Sequence, residues 1–122
     1  MAGDVPTPED IRTALGRVLA SREMTSSERQ RAFLRFVVER AIEGRTADIK
    51  AYTLALEVFG RGADFDPQTD SIVRVEASRL RRKLQVYYSD EGREDPVRIE
   101  LPTGSYVPVF RVAPPPPAAP AG

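Results

Sequence analysis

Apolar residues recur along this chain with two periods, three-to-four over most of its length and two near its end. Ile11, Leu15, Val18 and Leu19 recur at helical steps and predict a helix over about residues 8–21. Thr7 followed by Pro8 suits its start, and Asp10 suits the positive end of its dipole. Met24 to Ser27 breaks the pattern. Thr25 with Glu28 and Ser27 with Gln30 are overlapping capping pairs. Phe33, Leu34, Val37, Val38 and Ala41 then define a second helix over about 27–43, which Gly44 should stop. Its Arg29, Arg31, Arg35, Glu39, Arg40 and Glu43 read as solvated surface. Ala51 to Phe59 is a third, short and apolar helix, with Asp48 as a possible cap and Gly60 and Gly62 at its end.

The stretch Ser71 to Ser89 is the most structured signal in the chain. Val73, Ala77, Leu80, Leu84 and Tyr87 fall at steps of four, three, four and three, one stripe of a helix. Arg74, Ser78, Arg81 and Gln85 make a neighbouring stripe, and Val75, Arg79 and Arg82 a third. Asp70 or Ser71 can cap it. It carries five cations (Arg74, Arg79, Arg81, Arg82, Lys83) against the single acid Glu76.

The period then changes. Val97, Ile99 and Leu101 alternate with Arg98 and Glu100, as in a half-buried strand. Pro102-Thr103-Gly104 marks a turn. Tyr106, Val107, Val109 and Phe110 predict a second strand, with Pro108 pointing to a sheet edge. The expected fold is mainly α with a C-terminal β-hairpin, about four helices followed by two strands. A tail over 1–6 precedes the domain at 7–112. The run PPPPAAPAG after Ala113 reads as an extended linker or tail over 113–122.

Composition narrows the chemistry. A chain of 122 residues suits one small domain, and 18 Lys+Arg balance 18 Asp+Glu. Charge is nevertheless unevenly placed, and fields act locally once salt screens beyond about 10 Å. Neither Cys nor His is present, which excludes disulfides, thiolate chemistry, zinc fingers and imidazole catalysis. No apolar run approaches the length of a membrane span and no signal-peptide pattern opens the chain, so a soluble, cytoplasmic protein is expected. Asp64, Asp66 and Asp70 lack the glycine and the closing glutamate of a calcium loop, and capping or loop hydrogen bonding suits them better. Gly60 and Gly62 form no phosphate-binding pattern. No nucleophile, metal set or cofactor loop accompanies the acids, so no enzyme, cofactor or small-molecule ligand is expected.

Helix, loop, basic helix and hairpin is the order of a winged helix-turn-helix. Val75-Glu76-Ala77-Ser78-Arg79-Leu80-Arg81-Arg82-Lys83-Leu84 resembles the recognition helix of the OmpR/PhoB-type output domains of bacterial response regulators. Leu56-Glu57-Val58-Phe59-Gly60 is similar to the end of the preceding helix in that family, and Gly104-Ser105-Tyr106-Val107 to the end of its wing. The phrases FLRFVVERAIEGR, YTLALEVFGR, FDPQTDSIVRVEASRLRRKL and VRIELPTGSYVPVF also resemble an N-terminal domain of bacterial proteins often joined to tetratricopeptide repeats or cyclase-like modules. The chain departs from the OmpR/PhoB pattern in two places. Two helices stand where a four-stranded sheet would precede, and Pro102-Thr103-Gly104 lacks an arginine for the minor groove.

The resemblance implies sequence-specific binding to duplex DNA by a bacterial transcription regulator, with helix 71–88 in the major groove. It implies that Arg79 reaches a base edge, that Arg74, Val75 and Ser78 lie on or beside the same face, and that Arg81 and Arg82 lie near the backbone. The Thr103 and Ser105 hydroxyls, and Arg98 or Arg111, are candidates for phosphate. One small domain buries little DNA surface, so a homodimer is expected, paired through the amphipathic N-terminal helices. The alternative of a different class is a protein-interaction or dimerisation module that does not bind DNA.

Overall fold

The computed structural model describes residues 5–112; the first four residues of the expected tail and the whole of the Pro/Ala-rich 113–122 lie outside them. Among the described residues five α-helices precede one antiparallel pair of strands: α1 (Pro8–Leu19), α2 (Arg22–Thr25), α3 (Glu28–Ile42), α4 (Ala51–Glu57), α5 (Ile72–Ser89), β1 (Val97–Glu100) and β2 (Val109–Val112). A 3-10 turn over Thr46–Asp48 joins α3 to α4.

Local chemistry accounts for most of the boundaries. Thr7 and Asp10 form a reciprocal capping box at α1, at 3.1 and 3.2 Å. Ser27 accepts from the Gln30 N–H at the start of α3. Gly44, at φ 75°, closes α3 with two bonds, Gly44 N–H to the Ala41 carbonyl and Arg45 N–H to the Arg40 carbonyl. Only glycine adopts that left-handed conformation without strain. At α5 the Asp70 carboxylate accepts from the Ile72 N–H at 3.0 Å, while Ser71 makes no side-chain cap.

Three expectations are corrected. The break around Met24 holds a one-turn helix, α2, with Met24 wholly buried; four residues are too few to display a period. Asp48 does not cap α4: Lys50 holds the N-cap position, with no side-chain cap, and Asp48 pairs with Arg45 at 2.7 Å. The second strand begins at Val109 rather than Tyr106. Pro108 has no N–H for a ladder and precedes the strand, and the Val107 N–H donates to Ser105 Oγ instead.

All five helices and β1 close on one core. The apolar stripe of α5 (Val73, Ala77, Leu80, Leu84, Tyr87) is buried throughout. From α3 come Phe33, Leu34, Val37 and Val38, with the Phe33 ring edge-on to Phe59 at 5.3 Å. From α1 come Ile11, Ala14, Leu15, Val18 and Leu19, and α1 packs on β1. The apolar faces of the N-terminal helices, expected as a pairing surface, are thus buried in this chain's own core. Asp95 ties three elements together. It accepts from Arg17 of α1 and from the Tyr87 hydroxyl of α5, each at 3.1 Å, just ahead of β1. No helix among the described residues is long and apolar enough to cross a membrane.

Candidate nucleic-acid interface

The solvent face of α5 is the chemically distinctive surface. Arg74, Val75, Ser78, Arg79, Arg82, Gln85 and Val86 are exposed along it, and no carboxylate is exposed among them. Glu76, the only acid of the helix, points inward and is buried. Arg82 has no hydrogen-bond or ion-pair partner among the described residues, and Arg74 makes only a long contact of 3.5 Å to the Pro67 carbonyl.

The cations at the two edges of that face do structural work. Arg81 donates from Nε to the Leu101 carbonyl at 3.0 Å, and from one NH2 to the Pro102 and Ser105 carbonyls at 3.2 and 3.0 Å. It therefore holds the hairpin turn against α5. On the opposite edge Lys83 donates to the Glu23 carbonyl of α2 at 3.0 Å. A spacing of two residues places these cations on opposite sides of the helix, so one anchors the hairpin and the other the N-terminal helices.

Arg79 is the most constrained of the exposed arginines. One of its NH groups donates to Glu76 Oε2 at 3.1 Å, yet 65% of its side chain is exposed. Arg29 of α3 approaches the same oxygen at 3.6 Å. Gln30 completes the cluster, its amide nitrogen donating to the Glu76 carbonyl and to Oε1. With both acceptors on that side, the amide cannot turn over, and Gln30 Oε1 is left buried without a donor. An unmatched buried acceptor costs about 1 to 3 kcal/mol. Arg29, Gln30 and Glu76 were not legible as site residues from charge alone. A usable signal was present, however: Val73, Glu76 and Leu80 share helical steps of three and four, so a carboxylate occupies a position on the apolar stripe.

The chain joining α4 to α5 is pinned by its own side chains. The Tyr52 hydroxyl donates to the Ala63 carbonyl at 3.0 Å, with the Phe65 ring tilted against its own at 6.5 Å. Asp66 accepts from the Gln68 N–H. Arg61 bonds Asp70 at 2.8 Å and, together with the Ile72 N–H, holds its carboxyl below the usual range. These two carboxylates act in capping and loop bonding. Among the described residues no group of three or more acids is placed to hold a metal.

Thr103 is exposed at the hairpin turn beside Gly104, whose φ is 87°. The Ser105 hydroxyl is half-buried and accepts from the Val107 N–H, so it serves the turn itself. Arg98 and Arg111 face one another across the ladder. Like charges in that position repel. The repulsion is eased because Arg98 lies over the Tyr88 ring at 5.1 Å and Arg111 pairs with Glu100 at 2.7 Å. These groups line an open groove of about 680 Å3 between α5 and the hairpin.

Comparison with known proteins gives no matching family model, curated relative or solved structure.

Proposed function

We propose that this chain is a winged helix-turn-helix domain that binds duplex DNA sequence-specifically, as a bacterial transcription regulator with α5 in the major groove. One observation carries the reading: the solvent face of an 18-residue helix displays Arg74, Arg79 and Arg82 and no exposed carboxylate. A helix of this width fits the major groove, and its arginines can meet phosphates and guanine edges. In this arrangement α4 braces α5, and the hairpin, held by Arg81, stands beside the backbone as the wing.

Arg79 suits a guanine. Its bond to Glu76 uses one NH group, which leaves donors for a fork contributing about 1 to 3 kcal/mol of discrimination. Val75 and Ser78 lie beside it for base contacts. Arg74, Arg82 and Thr103 would supply phosphate contacts whose contribution falls with salt. Two copies on two half-sites remain the expected assembly, and pairing through the N-terminal helices would use their solvated sides. The reading places the domain in the cytoplasm and assigns it no catalysis and no cofactor.

Selection of bound sites from a random DNA pool, followed by salt titration, tests this. Tight binding that weakens steeply with salt, and loss of site preference in Arg79→Ala and Arg82→Ala with the fold intact, are expected. Variants that bind the selected site like the parent would refute the mechanism.

A second reading has its own observation. Val75 and Val86 are 41% and 40% exposed on the same face, as on a surface that docks a protein. Absence of DNA binding even at low salt would favour it.

A further inference from the structure

Arg29 occupies the second position of α3, where the positive end of the helix dipole disfavours a cation. The fold nevertheless holds it there. Its guanidinium approaches Glu76 Oε2 at 3.6 Å and lies 5.9 Å from the Phe59 ring centroid. Arg79 approaches the same oxygen from α5 at 3.1 Å. Glu76 is 5% exposed, while Arg29 and Arg79 are 51% and 65% exposed. An anion arriving from solvent therefore meets two guanidiniums before it meets the carboxylate. Beyond them, Arg79, Arg82 and Lys83 line a shallow groove of about 330 Å3 in which Glu23 is the only acid.

We propose that Arg29 binds the backbone phosphate beside the guanine that Arg79 reads, and that Glu76 is the positioning residue that clamps the two guanidiniums together. The clamp rests on the DNA reading above and adds α3 to its interface. Gln30 keeps Glu76 in place from within the core, so the clamp is built from two helices rather than from one cationic face.

The test measures binding of a selected and a random duplex over a potassium chloride series, for the parent, Arg29→Ala, Arg29→Lys and Glu76→Gln. Arg29→Ala should lower the slope of log affinity against log salt by about one, weaken both duplexes alike and melt near the parent temperature. Arg29→Lys should keep the slope. Glu76→Gln separates positioning from simple charge. Removing a negative charge strengthens DNA binding if Glu76 only opposes it, whereas loss of positioning weakens the selected duplex several-fold. Parent-like slope and affinity in Arg29→Ala overturn the clamp, and tighter binding by Glu76→Gln overturns the positioning role. If Glu76→Gln does not fold, the two Arg29 variants decide the matter. A parent with no salt-dependent binding removes the DNA reading and the clamp together; a parent that binds beside an unaffected Arg29→Ala removes the clamp alone.

Discussion

Replacing Arg81 with alanine separates a brace from a DNA contact. In the folded chain its guanidinium reaches three carbonyl oxygens of the hairpin turn, those of Leu101, Pro102 and Ser105. The Pro102 bond is exposed, and water replaces it at little cost. The Leu101 and Ser105 bonds are partly buried, and a charged donor makes each worth roughly 1.5 kcal/mol. Against that total of about 3 kcal/mol stands the rotamer freedom regained when an ordered arginine is removed, about 1 to 2 kcal/mol. The net loss is about 1.5 kcal/mol. For a domain of this size it lowers the melting temperature by about 6 to 12 °C. The assay is urea unfolding of Arg81→Ala beside the parent, with amide exchange followed across 102–107. A lower midpoint and faster exchange in the turn are expected, with little change in the salt slope of DNA binding. An unchanged midpoint with a salt slope reduced by about one would refute the reasoning and return Arg81 to the backbone.

Two further predictions concern the other end of α5. Burial, with the Asp95 carboxylate beside it, pushes the Tyr87 hydroxyl up to about 12 from an ordinary 10. Between about pH 10 and 12 the unfolded chain releases a proton that the folded chain retains, so stability should fall through that window by up to about 3 kcal/mol. Urea midpoints taken across it should show the fall, and Tyr87→Phe should make it shallower; equal slopes in the two proteins would argue against the assignment. Gly92→Ala should destabilise by roughly 1 to 3 kcal/mol, because a Cβ there would stand 2.1 to 2.6 Å from atoms of the buried Tyr87 ring. A parent-like urea midpoint in that variant would show that the ring can move aside.

The elements whose signals are local were legible in the residues. The stripe Val73, Ala77, Leu80, Leu84 and Tyr87 states both the helix and its buried side, because one face of a 3.6-residue repeat has only one way to leave water. The cap at Thr7 and the stop at Gly44 were equally plain, since each satisfies backbone groups within a few positions, whereas the structure chose Ser27 over Thr25 as the cap of α3. Where period and backbone chemistry competed, the pattern misled. The apolar run Tyr106, Val107, Val109 and Phe110 suggested a strand from Tyr106, but Pro108 cannot donate to a ladder, and pairing starts one residue after it.

The amino-acid order by itself determined that this chain forms helices with a terminal hairpin, and that its longest helix carries arginines on one side. Only the tertiary structure decided what each arginine does. Arg81, Arg79 and Arg82 are near-equivalent along the sequence, yet one fastens the hairpin, one leans on a buried carboxylate and one stands free among the described residues. The partners that divide these roles lie far along the chain, at Leu101 and Ser105 for Arg81 and at Arg29 and Gln30 around Glu76. A helical period reports which side of a helix faces inward; it carries no information about which distant atom will be there to meet it.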